Sequence, residues 1–123
     1  MDSRFDPPPA PTEAEISWMV QRFYELVRAD PVLAPLFEQA VTDWEAHLRI
    51  IADFWSAVLL GTERYRGCVF GAHAALAISP EQIERWLAAF RIAVAETLPA
   101  EAAAKALQLS ERMADAMQPR PRT

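Results

Sequence analysis

Cys68-Val69-Phe70-Gly71-Ala72-His73-Ala74-Ala75-Leu76 decides how this chain is read. It sets an imidazole on an apolar strip, because Phe70, His73 and Leu76 are three apart and share one helical face. The only other histidine, His47, also lies on an apolar face, one helix earlier. A histidine in an apolar stripe is as a rule a hydrogen-bonded core residue, so periodicity alone leaves packing and ligation both open. Two of them flanking one apolar slot also suit a flat, iron-bearing ligand.

Working outward, Ser79, Pro80 and Gln82 supply an N-cap, a first-turn proline and a box partner for a helix that buries Ile83, Trp86, Leu87, Phe90 and Val94. A last helix begins near Pro99 and runs through alanine-rich sequence to about Met117, with Leu107, Met113 and Met117 available for packing. Upstream, Gly61 to Gly67 is a surface loop framed by two glycines. The face Trp44, His47, Ile51, Phe54, Trp55 and Val58 precedes it, with Thr42 and Glu45 at capping-box spacing. Pro31 to Phe37 forms a compact corner, with a turn or two of helix after Pro35 and Phe37 at its buried end. Thr12 and Glu15 open a first amphipathic helix of about 18 residues, with Ile16, Val20, Phe23, Tyr24 and Val27 at helical spacing and Pro31 as its stop. Trp18, Trp44 and Trp55 are expected to pack. No stretch alternates with period two, so the fold class is all-α, with about five or six helices.

Composition narrows the function classes. At 123 residues the chain makes one domain with one modest core. Its expected parts are a Pro-rich disordered arm over residues 1–11 (Pro7, Pro8, Pro9, Pro11), a domain over 12–118 and a flexible tail over 119–123. A net charge of −5 and a pI near 5.0 argue against nucleic acid. Arg120, Pro121 and Arg122 are too few for a phosphate-binding surface. The single cysteine, Cys68, rules out an internal disulfide and suits a reducing compartment. The opening residues lack a signal-peptide pattern and no apolar run is long enough for a bilayer, which makes the cytoplasm the expected location and a membrane role unexpected.

Taken together, Arg22-Phe23-Tyr24, Pro35-Leu36-Phe37, Trp44-Glu45-Ala46-His47, Phe54-Trp55-Ser56-Ala57-Val58-Leu59-Leu60-Gly61, Ala72-His73 and Arg85-Trp86-Leu87 resemble the truncated haemoglobins, most of all their third group. The resemblance covers roughly residues 15 to 117, and its specificity rests on six motifs in order and register. It implies a truncated globin fold, a shortened helical sandwich around haem b (iron protoporphyrin IX). The proximal iron ligand implied is His73, with Tyr24, His47 and Trp86 as the distal trio. Phe23, Phe37, Ile51 and Phe54 match positions that wall the haem, and Phe70, Leu76 and Phe90 complete the expected apolar pocket. One departure stands out: Cys68-Val69 occupies the place where the family often has Asn-Pro ahead of the proximal helix.

The chemistry follows from the residue types. A globin iron takes a neutral imidazole on one axial site and leaves the other for a gas. The small neighbours Gly71, Ala72, Ala74 and Ala75 would let a macrocycle approach His73. A tyrosine hydroxyl can give and accept, whereas an indole only gives, so Tyr24 supported by Trp86 is a workable donor pair for a ligand carrying negative charge. His47 has three open duties: bonding ligand, gating entry, or ligating iron. Arg49 and Arg64 are candidate propionate partners. A structural zinc site fails on ligand number, with two histidines and one cysteine. A di-iron bundle fails because neither histidine has a glutamate three residues before it.

The expected function is reversible binding of a diatomic ligand (dioxygen, nitric oxide, carbon monoxide or cyanide) at a five-coordinate iron, for transport, storage or sensing, by a monomer or weak dimer. The alternative is a haem enzyme, a nitric oxide dioxygenase or a peroxidase-like catalyst. Dioxygenation would need a separate reductase, since the chain has no dinucleotide fingerprint. A haem-free helical module that binds a partner through an apolar groove is the third option.

Overall fold

The computed structural model describes residues 10–65 and 78–117. These form five helices: α1 Glu13–Ala29, α2 Ala34–Ala40, α3 Trp44–Leu60, α4 Pro80–Thr97 and α5 Ala100–Met117, with no strand among the described residues. The stretch 68–76, with Cys68, Phe70, His73 and Leu76, lies outside the described residues, as do most of the Pro-rich arm and the tail.

Helix α1 starts as the spacing predicts. The Glu15 N–H donates to the Thr12 hydroxyl at 3.0 Å, and the Thr12 N–H donates to the Glu15 carboxylate at 2.8 Å. Its inner stripe is Ile16, Met19, Val20, Phe23, Tyr24 and Val27, all buried. Trp18 does not pack as expected and is 54% exposed. At 3.6 residues per turn it stands roughly 200° round the helix from Ile16, on the solvent side. The helix ends at Asp30, whose carboxylate accepts from the Val32 and Leu33 N–H groups at 2.8 and 3.2 Å and so builds the corner into α2. Phe37 is the buried residue of α2, as the motif suggests.

At α3 the capping differs from expectation. Asp43, not Thr42, is the N-cap, accepting from the Ala46 N–H at 3.1 Å. An N-cap side chain serves the N–H three residues on. With the helix beginning at Trp44, Asp43 is in register and Thr42 is one residue early; Glu45 faces Arg49 instead, at 3.9 Å. Ile51, Trp55 and Ser56 are buried on α3, whereas Trp44, Leu48, Phe54, Val58, Leu59 and Leu60 are only partly covered. Gly61 closes the helix in the left-handed region, φ 74°, where a side chain would be strained.

Ser79 and Gln82 form the expected capping box on α4, and Ile83, Trp86, Phe90 and Val94 are buried, with Leu87 half-buried. Helix α5 packs through Ala102, Ala106, Ser110, Met113 and Ala114, mostly small side chains; Leu107 and Met117 are partly buried. Helices α1 and α3 pair, α4 and α5 pair, and the two pairs stack with α1 on α4 and α3 on α5. Arg85 to Asp30 (3.1 Å) and Arg22 to Glu96 (2.6 Å) tie α1 to α4 at two levels.

Candidate functional site

The stacked pairs bring the aromatic side chains of α1, α3 and α4 to one place. Phe23 and Tyr24 are neighbours on α1, with ring centroids 4.9 Å apart and edge to face. Phe23 also meets Trp86 at 5.9 Å and Phe90 at 5.4 Å. Phe90 is stacked between Trp55 at 5.1 Å and Trp86 at 6.1 Å. Between these rings lies a void of about 20 Å³ bounded by Phe23, Tyr24, Ile51, Phe54, Trp55, Trp86, Phe90 and Met113. That is on the scale of a single small molecule, since a site of roughly 10–15 Å³ already admits a water.

Tyr24 is 3% exposed. Its hydroxyl is 2.9 Å from His47 Nε2, and the two rings meet edge to face at 5.0 Å. Burial pushes the Tyr24 phenol well above its ordinary range, so the hydroxyl keeps its proton at every physiological pH. The phenol therefore has one proton to give and lone pairs to offer, and its role is set by the imidazole tautomer. If His47 carries its proton on Nε2, it donates to the phenol and leaves the Tyr24 O–H for a third group. If Nε2 is bare, the phenol donates to it.

Of the expected trio, Tyr24 and Trp86 both line the inner void, and Tyr24 and His47 are hydrogen-bonded. His47 is not part of the void's lining; it stands behind Tyr24 and is half-buried. Phe23, Ile51, Phe54 and Phe90 line the void, while Phe37 backs the Tyr24 ring at 6.0 Å. Phe70, His73 and Leu76 fall outside the described residues.

Of the two arginines expected at propionates, Arg49 faces Glu45 at 3.9 Å and Arg64 belongs to a polar knot. Arg64 reaches Glu13 at 2.8 Å, Asp53 at 3.2 Å and the Ser56 hydroxyl at 3.0 Å. Ser56, fully buried, donates to Glu13 at 2.7 Å and accepts from Thr62 at 2.8 Å. The Arg64 and Ser56 bonds hold the Glu13 carboxyl below its ordinary range, against the opposing effect of burial. This knot fastens the chain after α3 to the start of α1. Sequence reading named Met113 for packing but not for the void, and did not single out Ser56, Asp43 or the Asp30–Arg85 pair; Asp43 alone had a local signal, a capping residue directly before an apolar periodic run.

Comparison with known proteins accounts for this arrangement. The family model for bacterial-like globins matches residues 11–119. The group 3 truncated hemoglobin of Campylobacter jejuni is 34% identical over 83 residues, 63% of this chain and 65% of that protein, a little under two thirds of its length. The crystal structure of the group III truncated hemoglobin from Campylobacter jejuni superposes with a TM-score of 0.77 at 31% identity, covering 86% of this chain and 87% of that one. A thermostable hemoglobin from the actinobacterium Thermobifida fusca gives 0.76 at 29% identity, covering 89% and 93%. The chain belongs to the bacterial-like globins, with the truncated haemoglobin fold.

Proposed function

We propose that the chain would hold haem b through His73 and bind a diatomic gas reversibly at its iron, with Tyr24 as the principal donor to the ligand. The observation that carries this is the pairing of Tyr24 with His47 beside an aromatic void that Trp86 shares.

The described residues suit the group. Helix α3 keeps Phe54 and Val58, one turn apart on one face, only partly covered, apolar surface that a porphyrin could lie against. The void beside it offers a phenol and an indole as donors and no carboxylate, so nothing in its lining competes with the ligand as an acceptor. Phe23, Ile51, Phe54, Phe90 and Trp86 would wall the cofactor, together with Phe70 and Leu76. When bound, the haem supplies an iron with one open axial position and places negative charge on the gas it takes.

The protein's share of the work is electrostatic. With His47 protonated on Nε2, the neutral phenol would accept from it and direct its own O–H at the ligand, and the Trp86 indole, on the same void, would be a second donor. A hydrogen bond to a charged acceptor contributes about 1.5 to 3 kcal/mol, which corresponds to roughly ten- to a hundredfold in the rate of ligand escape. The surrounding rings make an apolar setting, in which such bonds are stronger than in water.

Absorption spectra of the ferric, ferrous and carbonyl forms test the assignment. A Soret band is expected, and His73→Gly should lose its cofactor unless free imidazole is supplied. A glycine variant that retains colour without imidazole would sink His73 as the ligand.

A further inference from the structure

Tyr24 has two faces. One closes the inner void; the other lies in a groove of about 480 Å³ that opens to solvent and is lined also by Arg28, Trp44 and Leu48. The phenol ring and its His47 partner are thus the wall between the outside and the inner void.

Trp44 covers that wall. As the first residue of α3 it sets its indole edge to face against Tyr24 at 5.6 Å and against His47 at 5.9 Å. The Arg28 guanidinium sits 4.4 Å above the indole ring, and Arg28 Nε is 3.2 Å from a Glu38 carboxylate oxygen. Three elements meet in this stack: Arg28 from the last turn of α1, Glu38 from α2 and Trp44 from α3.

We infer that Trp44 is a positioning residue for the Tyr24–His47 couple and that Arg28, oriented by Glu38, is the clasp that holds it there, so that the stack governs how fast a diatomic ligand crosses the Tyr24 wall. The inference rests on the gas-binding assignment above. Its physical basis is a difference in strength. The Tyr24–His47 bond is part-buried, whereas Arg28 and Glu38 are each about half exposed (49% and 50%), where ion pairs and cation–π contacts are weak. The clasp therefore releases before the couple does. Trp44 then swings outward, the two rings lose the flank that fixes their angle, and the wall opens without any movement of α1 against α4.

The test uses the haem-loaded full chain. Carbon monoxide recombination after flash photolysis should be about two- to fivefold faster in Arg28→Gln, the factor that a surface cation–π contact represents. Trp44→Leu should exceed it, and Trp44→Phe should restore near-parent rates because an aromatic flank remains. The infrared carbonyl stretch should split into several bands in Trp44→Leu, since Tyr24 then samples more than one angle. Independently of haem, the fluorine resonance of Trp44 in 5-fluorotryptophan-labelled protein should move toward its solvent-exposed position in Arg28→Gln and in Glu38→Gln. Because Arg28 is exposed, its variant keeps the test open if Trp44→Leu fails to fold. A Soret band with unchanged recombination in Arg28→Gln and an unmoved Trp44 resonance overturns the clasp alone. The absence of any Soret band overturns the gas-binding assignment and this inference with it.

Discussion

The Tyr24 hydroxyl lies 2.9 Å from His47 Nε2, joining the middle of α1 to the first turn of α3 at the edge of an aromatic void. The bond leaves a buried, neutral phenol with one proton whose direction is decided by the neighbouring imidazole. The kinetic expectations follow from that proton.

Tyr24→Phe removes it while conserving the ring contacts with Phe23, Phe37 and Trp44. Dioxygen release should accelerate by roughly ten- to a hundredfold, the equivalent of one hydrogen bond to a charged acceptor. Stopped-flow displacement by carbon monoxide measures it, and unchanged release would take Tyr24 out of the role.

Trp86→Phe keeps an aromatic ring against Phe23 and Phe90 but removes the second donor on the void. Release should again quicken, by a smaller factor than in Tyr24→Phe. The double variant should show less than the product of the two single effects, because donors to a shared acceptor are coupled.

His47→Ala strips the phenol of its partner. If His47 normally donates to Tyr24, the carbonyl stretch should shift as the phenol reorients. A ferrous, ligand-free spectrum that changes from six- to five-coordinate in His47→Ala would instead assign the histidine to the iron.

Asp30→Asn should lower stability by about 1 kcal/mol, since the amide still accepts from Val32 and Leu33 but loses its charge opposite Arg85. Burial tends to raise the Asp30 carboxyl, yet the two backbone N–H groups and Arg85 together hold it below its ordinary range. A depressed carboxylate stabilises the fold fully above its unfolded pKa of about 4 and loses that contribution as pH falls through the lower folded value. Urea midpoints of parent and variant should thus differ at pH 7 and converge at the acid end; a constant difference down to acid would refute the linkage.

Ser56→Ala should cost about 1 to 3 kcal/mol, because it leaves groups of Glu13, Thr62 and Arg64 facing a methyl at a fully buried position. Thermal denaturation reads it directly. A midpoint shift within error would show that the knot closes through Glu13 and Arg64 alone.

The helices themselves were legible because each carries its own signal. The Thr12–Glu15 and Ser79–Gln82 boxes, the Pro31 stop and the Gly61 end are local features, and the structure keeps every one. Of the expected site residues, Tyr24, Trp86, Phe23, Ile51, Phe54 and Phe90 meet at one void, through motif order that no single helix carries. Other features depend on distances between helices. Arg64 turns to Glu13, which lies 51 positions away, and nothing near Arg64 in the sequence names that partner. Trp18 shows the opposite failure: its type suggested packing, while its angular position on α1 sends it to solvent. Thr42 lost the cap to Asp43 by a single residue of register, a difference that spacing alone does not resolve.

Asp30 ends α1, shapes the turn into α2 and receives Arg85 from α4 with one carboxylate. The corner consequently has no slack. One residue inserted between Asp30 and Ala34 would pull the Val32 and Leu33 N–H groups out of register with the Asp30 carboxylate and carry Phe37 off the back of Tyr24. A deletion would do the same in the opposite sense. Length variation should therefore be barred from this junction, however freely its side chains are exchanged.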